Sequence, residues 1–201
     1  MKKILLTLIC ALWAIPVLAA DPAIDFMDKL AKEIIEEGVL AQKTNEEKEA
    51  FFREKFTTNL DLKNISQMVL GVYWKKATDQ EKADFMEAFT DLTTKTWTDR
   101  FGLYQGQDIV FQGTRNAPQK NQIYVDSKIN NDPPIEVIWR LRQKEGNYKL
   151  VDIVIEDVSM VMSYRNEYTS FLQQHQGIVQ TLIDELRTKA REFKYSGKGE
   201  E

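Results

Sequence analysis

The groups that could do chemistry in this chain are few. His175 is the one histidine among 201 residues. It stands in Gln173-Gln174-His175-Gln176-Gly177, a polar stretch that reads as the end of a helix. An imidazole there belongs to a solvated terminus near the negative end of the helix dipole, not to a metal site or a general base. Adjacent carboxylates occur at Glu36-Glu37, Glu46-Glu47 and Glu156-Asp157. The first two read as solvated helix faces or caps. The third ends an apolar strand, where neighbouring side chains point to opposite faces and cannot act on one substrate. There is no His-Glu-x-x-His, no Gly-x-Ser-x-Gly, no phosphate-cradling glycine loop and no dinucleotide fingerprint. Tyr104, Tyr124 and Asp126 are what an enzyme could still use, if a cavity shifted their pKa values. Nothing in their spacing compels it. The expectation is no catalytic residue, no metal and no cofactor.

The N-terminus has the layout of an export signal. Lys2 and Lys3 precede an apolar run from Ile4 to Leu18, and Val17-Leu18-Ala19-Ala20 offers small residues for cleavage after Ala19 or Ala20. A run of about 15 residues is short for a bilayer span, which takes ~20. Cys10 does not mark a lipoprotein: Ile9 precedes it where a small residue is wanted, and it lies within the run. Processing would remove Lys2, Lys3 and the one cysteine, leaving 25 basic against 31 acidic side chains, a formal charge of −6. Such a chain has no thiolate chemistry and no zinc–thiolate site. Its acidity argues against nucleic acid. No second apolar stretch approaches spanning length, so the processed protein is expected to be soluble.

The positioning elements fall into two halves. Up to residue 105 the apolar spacing is helical. Ile24, Met27, Leu30, Ile34 and Ile35 follow the start signal Asp21-Pro22 and run towards Gly38. Asn45 is expected to cap a segment over 46–56 that carries Phe51, Phe52 and Phe56. Asp61 or Asn64 opens a third, ending at Gly71. Thr78-Asp79-Gln80-Glu81 resembles a capping box before Phe85, Phe89, Leu92, Thr96 and Phe101. From 106 to 157 the period changes. Residues 109–111, 123–125, 135–141 and 148–155 are short, β-branched or aromatic, and separated by turn signals at Gly113, Asn116-Ala117-Pro118, 130–134 and 145–147. Short connections predict an antiparallel meander of four strands. Two helices, over 162–174 and 178–193, close the domain. Residues 196–201 read as a disordered tail. The layout is a signal peptide over 1–20 and one α+β domain over 21–195. Its helical part is 21–105, its sheet 106–157 and its C-terminal helices 158–195.

The surplus in this sequence is apolar. Val69 to Trp74, Phe85, Phe89, Trp97, Phe101 and Tyr104 crowd the helices, and Trp139 and Leu150 to Ile155 the strands. Along the last strand Val151, Ile153 and Ile155 should share one face, with Leu150 and Val154 on the other. An antiparallel sheet needs only one buried face. Helices over both faces, or an internal cavity, would explain the excess.

Two stretches carry a resemblance. Val69-Leu70-Gly71-Val72-Tyr73-Trp74-Lys75-Lys76-Ala77-Thr78-Asp79-Gln80-Glu81-Lys82, running on to Phe85 and Phe89, is one. Val151-Asp152-Ile153-Val154-Ile155-Glu156-Asp157-Val158-Ser159-Met160-Val161-Met162-Ser163-Tyr164-Arg165-Asn166-Glu167-Tyr168 is the other. With Pro134 to Leu141 between them they resemble the MlaC family, the periplasmic phospholipid-binding component of the Mla lipid-asymmetry ABC transport system. The resemblance spans roughly residues 24 to 190. Two positions depart from the family pattern: Asp157 stands where glycine is expected, at a strand exit, and Ile138 where a polar residue is common.

The resemblance implies a curved antiparallel sheet wrapped by helices, similar to nuclear transport factor 2, with an added helical part. It implies a monomeric carrier that shelters acyl tails in a cavity and leaves the head group in water. Its partners would be an outer-membrane lipoprotein complex and an inner-membrane complex of lipid-binding ring and ABC transporter. The residues expected to line the cavity are Leu70, Tyr73, Trp74, Phe89, Trp97, Tyr104, Val125, Trp139, Val151, Ile153, Ile155, Val158 and Met160. Arg165 and Arg140 are expected at its mouth, with a structural ion pair as the alternative for each. Strand alternation sets these sides, so one register error would move several residues together.

Overall fold

The computed structural model describes residues 21–41, 43–144 and 146–196. The expected signal sequence, Cys10 and residues 197–201 lie outside the described residues. Helix α1 (Pro22–Glu33) starts where Asp21 accepts a hydrogen bond from the Ala23 amide, with proline in the first turn. It continues as a wider π-helical turn over Ile34–Val39. Gly38 in that turn lets the Phe51 ring of the next helix approach closely: a Cβ there would lie 2.6 Å from it.

Helix α2 (Asn45–Asn59) is capped one residue earlier than expected, by Thr44, because Thr44 and Glu47 form a reciprocal capping box. Helix α3 (Leu62–Leu70) is capped by Asp61 and ends at Gly71, whose φ of 55° favours glycine. A 3₁₀ turn over Gly71–Lys75 leads to α4 (Asp79–Phe101), opened by the Thr78–Glu81 capping box. Helices α5 (Met160–Gln174) and α6 (Val179–Arg191) follow the sheet. Among the described residues no helix is long and apolar enough to cross a membrane.

The sheet runs β1 (Ile109–Asn116), β2 (Gln122–Ile129), β3 (Ile135–Lys144), β4 (Asn147–Ile155) and β5 (Val158–Ser159), all antiparallel and in chain order. The four-stranded meander thus gains a two-residue fifth strand. The β4–β5 turn is Glu156-Asp157, both at positive φ (47° and 63°), as a two-residue hairpin turn of type I′ requires. A glycine at 157 would meet that requirement without strain, so the turn explains the expectation. Two bulges break the register, one in β1 between Phe111 and Gly113 and one in β4 opposite Arg140 and Leu141. Bulges bend and twist a strand.

The core is divided. One cluster packs α3, α4, α5 and α6 around Phe85, Phe89, Tyr168, Leu172 and Ile183. The other packs α1, through Ala23, Met27 and Leu30, onto Val125, Leu141 and Leu150 of the sheet. The space between the two clusters holds the site.

Candidate functional site

Cross-strand partners share a face, so the register identifies the concave side of the sheet. Val125 faces Trp139 and Trp139 faces Ile153; Ser127 faces Val137 and Val137 faces Ile155; Ile109 faces Ile129 and Ile129 faces Ile135. Six of these apolar residues, Ile109, Ile129, Ile135, Trp139, Ile153 and Ile155, are only half-buried. They line a cavity of about 380 Å³. Its opposite wall comes from α1 and the π turn (Met27, Leu30, Ala31, Ile34, Ile35), from α2 (Lys55, Phe56), and from the last turns of α4 and the loop beyond (Thr93, Trp97, Arg100, Phe101, Leu103, Tyr104). Spacings of three and four residues put the α1 and α4 sets each on one helix face.

The lining is apolar where it is deep. Trp139 can lie there because its indole N–H donates to Ser127 Oγ at 2.9 Å, and Ser127 donates on to the Val137 carbonyl at 3.2 Å. The polar groups are Thr93, Lys55, Arg100, Tyr104, Gln107 and Asn131. The Tyr104 hydroxyl donates to the Gln107 carbonyl at 2.9 Å. Lys55 bonds Glu33 at 2.7 Å, and that bond raises its pKa. Leu103, 58 % exposed, is an unusually open leucine at the rim.

A second cavity of about 60 Å³ adjoins the first. The two share Phe56, Leu60, Thr93, Trp97, Leu150 and Ile153 as a common wall. Phe89, Met160 and Tyr164 line the small one. Burial pushes the Tyr164 hydroxyl's pKa up, against the opposing charge of Arg100, which keeps it a neutral group.

Of the residues expected to line a cavity, Trp97, Tyr104, Trp139, Ile153 and Ile155 border the large one, and Phe89 and Met160 the small one. The others lie elsewhere. Leu70 is buried in the helical core. Trp74 packs against that core, and Tyr73 lies over Gly177 in the α5–α6 turn. Val125 is on the concave face but fully covered by the α1 cluster. Val158 is 52 % exposed in β5. Val151 is the extra residue of the β4 bulge, since Arg140 pairs with Asp152 and Leu141 with Leu150. The bulge moves Leu150 to the face of Ile153 and Ile155, reversing the expected alternation.

Neither expected arginine borders the cavity. Arg140 pairs with buried Asp152 at 3.2 Å and stacks on Tyr124, on the outer face of the sheet. Asp152 also accepts from Ser159 Oγ (2.6 Å) and the Val161 amide (3.0 Å), tying β4 to the start of α5. Arg165 packs on Gly71 and donates to the Met68 carbonyl at 3.3 Å. Ile138 is on the outer face too, paired with Asp126 and Val154. His175 caps α5, its ring stacked on Phe171 at 4.0 Å. Asp126 is held by Arg115 at 2.9 Å.

Sequence reasoning missed Ile135 and Val137, though alternation from Trp139 would have found both. It missed Arg100 and Lys55 because a basic residue near a helix end carries no signal of its neighbours. Among the described residues no cluster of histidine, cysteine or carboxylates could hold a metal.

Comparison with known proteins gives the family and the fold. The sequence matches the MlaC protein family over residues 25–188. It is 26 % identical over 136 residues to the intermembrane phospholipid transport system binding protein MlaC of Haemophilus influenzae. That alignment covers 65 % of this chain and 63 % of the relative, less than two thirds of its length. A phospholipid-binding protein from Ralstonia solanacearum, solved in complex with a phospholipid, superimposes with a TM-score of 0.70 at 17 % identity, over 84 % of this chain and 98 % of the other. The match therefore extends to the fold as well as to the sequence, and the chain belongs to the MlaC family.

Proposed function

We propose that this protein carries a phospholipid through the aqueous periplasm with its acyl tails inside the concave cavity, as a binder and not a catalyst. The observation that carries the reading is the volume and lining of that cavity. Around this partly open volume of 380 Å³ the isoleucines and Trp139 are only half-buried, so apolar surface is left facing water, at roughly 25 cal/mol per Å². A ligand that fills the space removes that penalty.

Hydrocarbon fits the space. An apolar cavity of ~150 Å³ holds benzene, or about 25 Å³ per carbon, so 380 Å³ takes roughly 15 carbons, one acyl chain. A second tail would extend into the small cavity by displacing the shared wall at Trp97 and Phe56. About 30 methylenes exposed to water would cost on the order of 24 kcal/mol at ~0.8 kcal/mol each, and this is the barrier a carrier lowers. Transfer between bilayer and cavity is close to neutral, so direction would come from partners. The names of the relatives support phospholipid as cargo. The inner-membrane ring and ABC transporter, and the outer-membrane lipoprotein complex, are the proposed donors and acceptors. The basic start and apolar run of residues 2–18 support export and cleavage after Ala19 or Ala20.

Organic extraction of protein purified from its native compartment, followed by lipid mass spectrometry, tests the reading. Phospholipid near one per chain is expected. A stable, folded protein free of lipid, and unable to take it up from vesicles, would overturn it.

A further inference from the structure

The charge of the cavity runs against the charge of the chain. The sequence carries a formal −4, yet the described residues lining the large cavity include no carboxylate and two cations, Lys55 and Arg100. Lys55 is committed to Glu33. Arg100 is exposed in the last turn of α4 and makes no ion pair or side-chain hydrogen bond among the described residues. Its guanidinium lies over the Trp97 ring at 5.2 Å. That cation–π contact uses none of the five N–H donors of the guanidinium. Gln107 also borders the cavity, and its side-chain oxygen already accepts from the Gln105 amide at 2.9 Å. Its NH₂ group has no partner among the described residues.

We infer that Arg100 binds the phosphate of the carried lipid, pairing its guanidinium with the phosphodiester at the cavity rim while Gln107 supplies a second donor. The inference rests on the phospholipid reading and names the group that reads the head. Charge-assisted hydrogen bonds between guanidinium and phosphate are about twice as strong as neutral ones. A zwitterionic and an anionic phospholipid both present that phosphate. The site therefore selects phosphate-bearing lipids over phosphate-free ones, and discriminates little among head groups beyond the phosphate.

Two single-tailed probes of equal chain length separate the contributions. Lysophosphatidylglycerol carries the phosphate, and monoacylglycerol does not. Delipidated wild-type protein should bind the first about tenfold more tightly, with the preference weakening as salt is raised. Arg100→Ala should collapse the preference towards unity. Arg100→Lys should retain part of it, as a point charge without the fork. Arg191→Ala removes the same charge away from the lining and should keep the full preference. If Arg100→Ala keeps it too, the assignment of Arg100 is overturned while the phospholipid reading stands. Displacement of lysophosphatidylglycerol by excess inorganic phosphate would mark a free-anion site and also overturn it. Failure of wild type to bind either probe would sink both readings.

Discussion

Trp139 donates its indole N–H to Ser127 Oγ at 2.9 Å across the β2–β3 pair, inside the concave face. An indole turned towards hydrocarbon must place its one polar atom somewhere, and a buried serine on the neighbouring strand receives it. Ser127→Val strands that donor and should cost about 1–3 kcal/mol in urea unfolding. In a Trp139→Phe background the same change should cost much less, because no donor is stranded. Equal costs in the two backgrounds would show that the bond is not what Ser127 contributes.

The β4–β5 turn holds Asp157 at φ 63°. A left-handed conformation costs a non-glycine residue ~1–2 kcal/mol, less for Asp, and glycine gives some of that back through its flexible unfolded chain. Asp157→Gly should therefore raise stability by about 0.5–1 kcal/mol, with lipid content unchanged. Thermal unfolding beside lipid mass spectrometry checks both, and a destabilised glycine variant would contradict the turn geometry.

Three tryptophan substitutions distinguish open space from packed core. Ile155 borders the cavity, so Ile155→Trp should stay folded and lose bound lipid. Val151 is buried in the bulge without adjoining either cavity, so Val151→Trp should overpack and destabilise by about 1–3 kcal/mol. Val158 is exposed, and Val158→Trp should alter neither property. Lipid per protein and unfolding midpoint are the measurements. Loss of stability in Ile155→Trp with lipid retained would contradict the cavity.

Asp21 anchors the start of α1 to the sheet. Its carboxylate accepts from the Thr114 hydroxyl at 2.5 Å, which holds its pKa below the ordinary 3.8. A folded-state pKa below the unfolded one stabilises the protein above the unfolded value, and that stabilisation is lost as pH falls through the folded value. Thr114→Val should thus be less stable than wild type at neutral pH, and the gap should narrow below pH 3.8. Chemical unfolding at a series of pH values measures it. A gap that stays constant into strong acid would remove the carboxylate from the account.

What the amino-acid sequence determined by itself is local. The Thr78–Glu81 box, the Asp61 cap and the Asp21-Pro22 start are set within four residues of chain, so residue type and spacing suffice. The change from helical to alternating period near residue 106 made the α+β layout legible for the same reason. The apolar surplus was legible as well, but its division between core and cavity was not. Leu150 and Val151 exchange roles because a bulge opposite Arg140 and Leu141 inserts one residue, and a period-two pattern carries no mark of where its phase slips. Val125 alternates correctly, yet α1 covers it, which depends on residues about a hundred positions away. Arg140, Arg165 and Arg100 look alike as isolated basic residues. The tertiary structure separates them, because an acid on a neighbouring strand, a glycine under the side chain, or an open rim with no acid at all decides where each charge is spent.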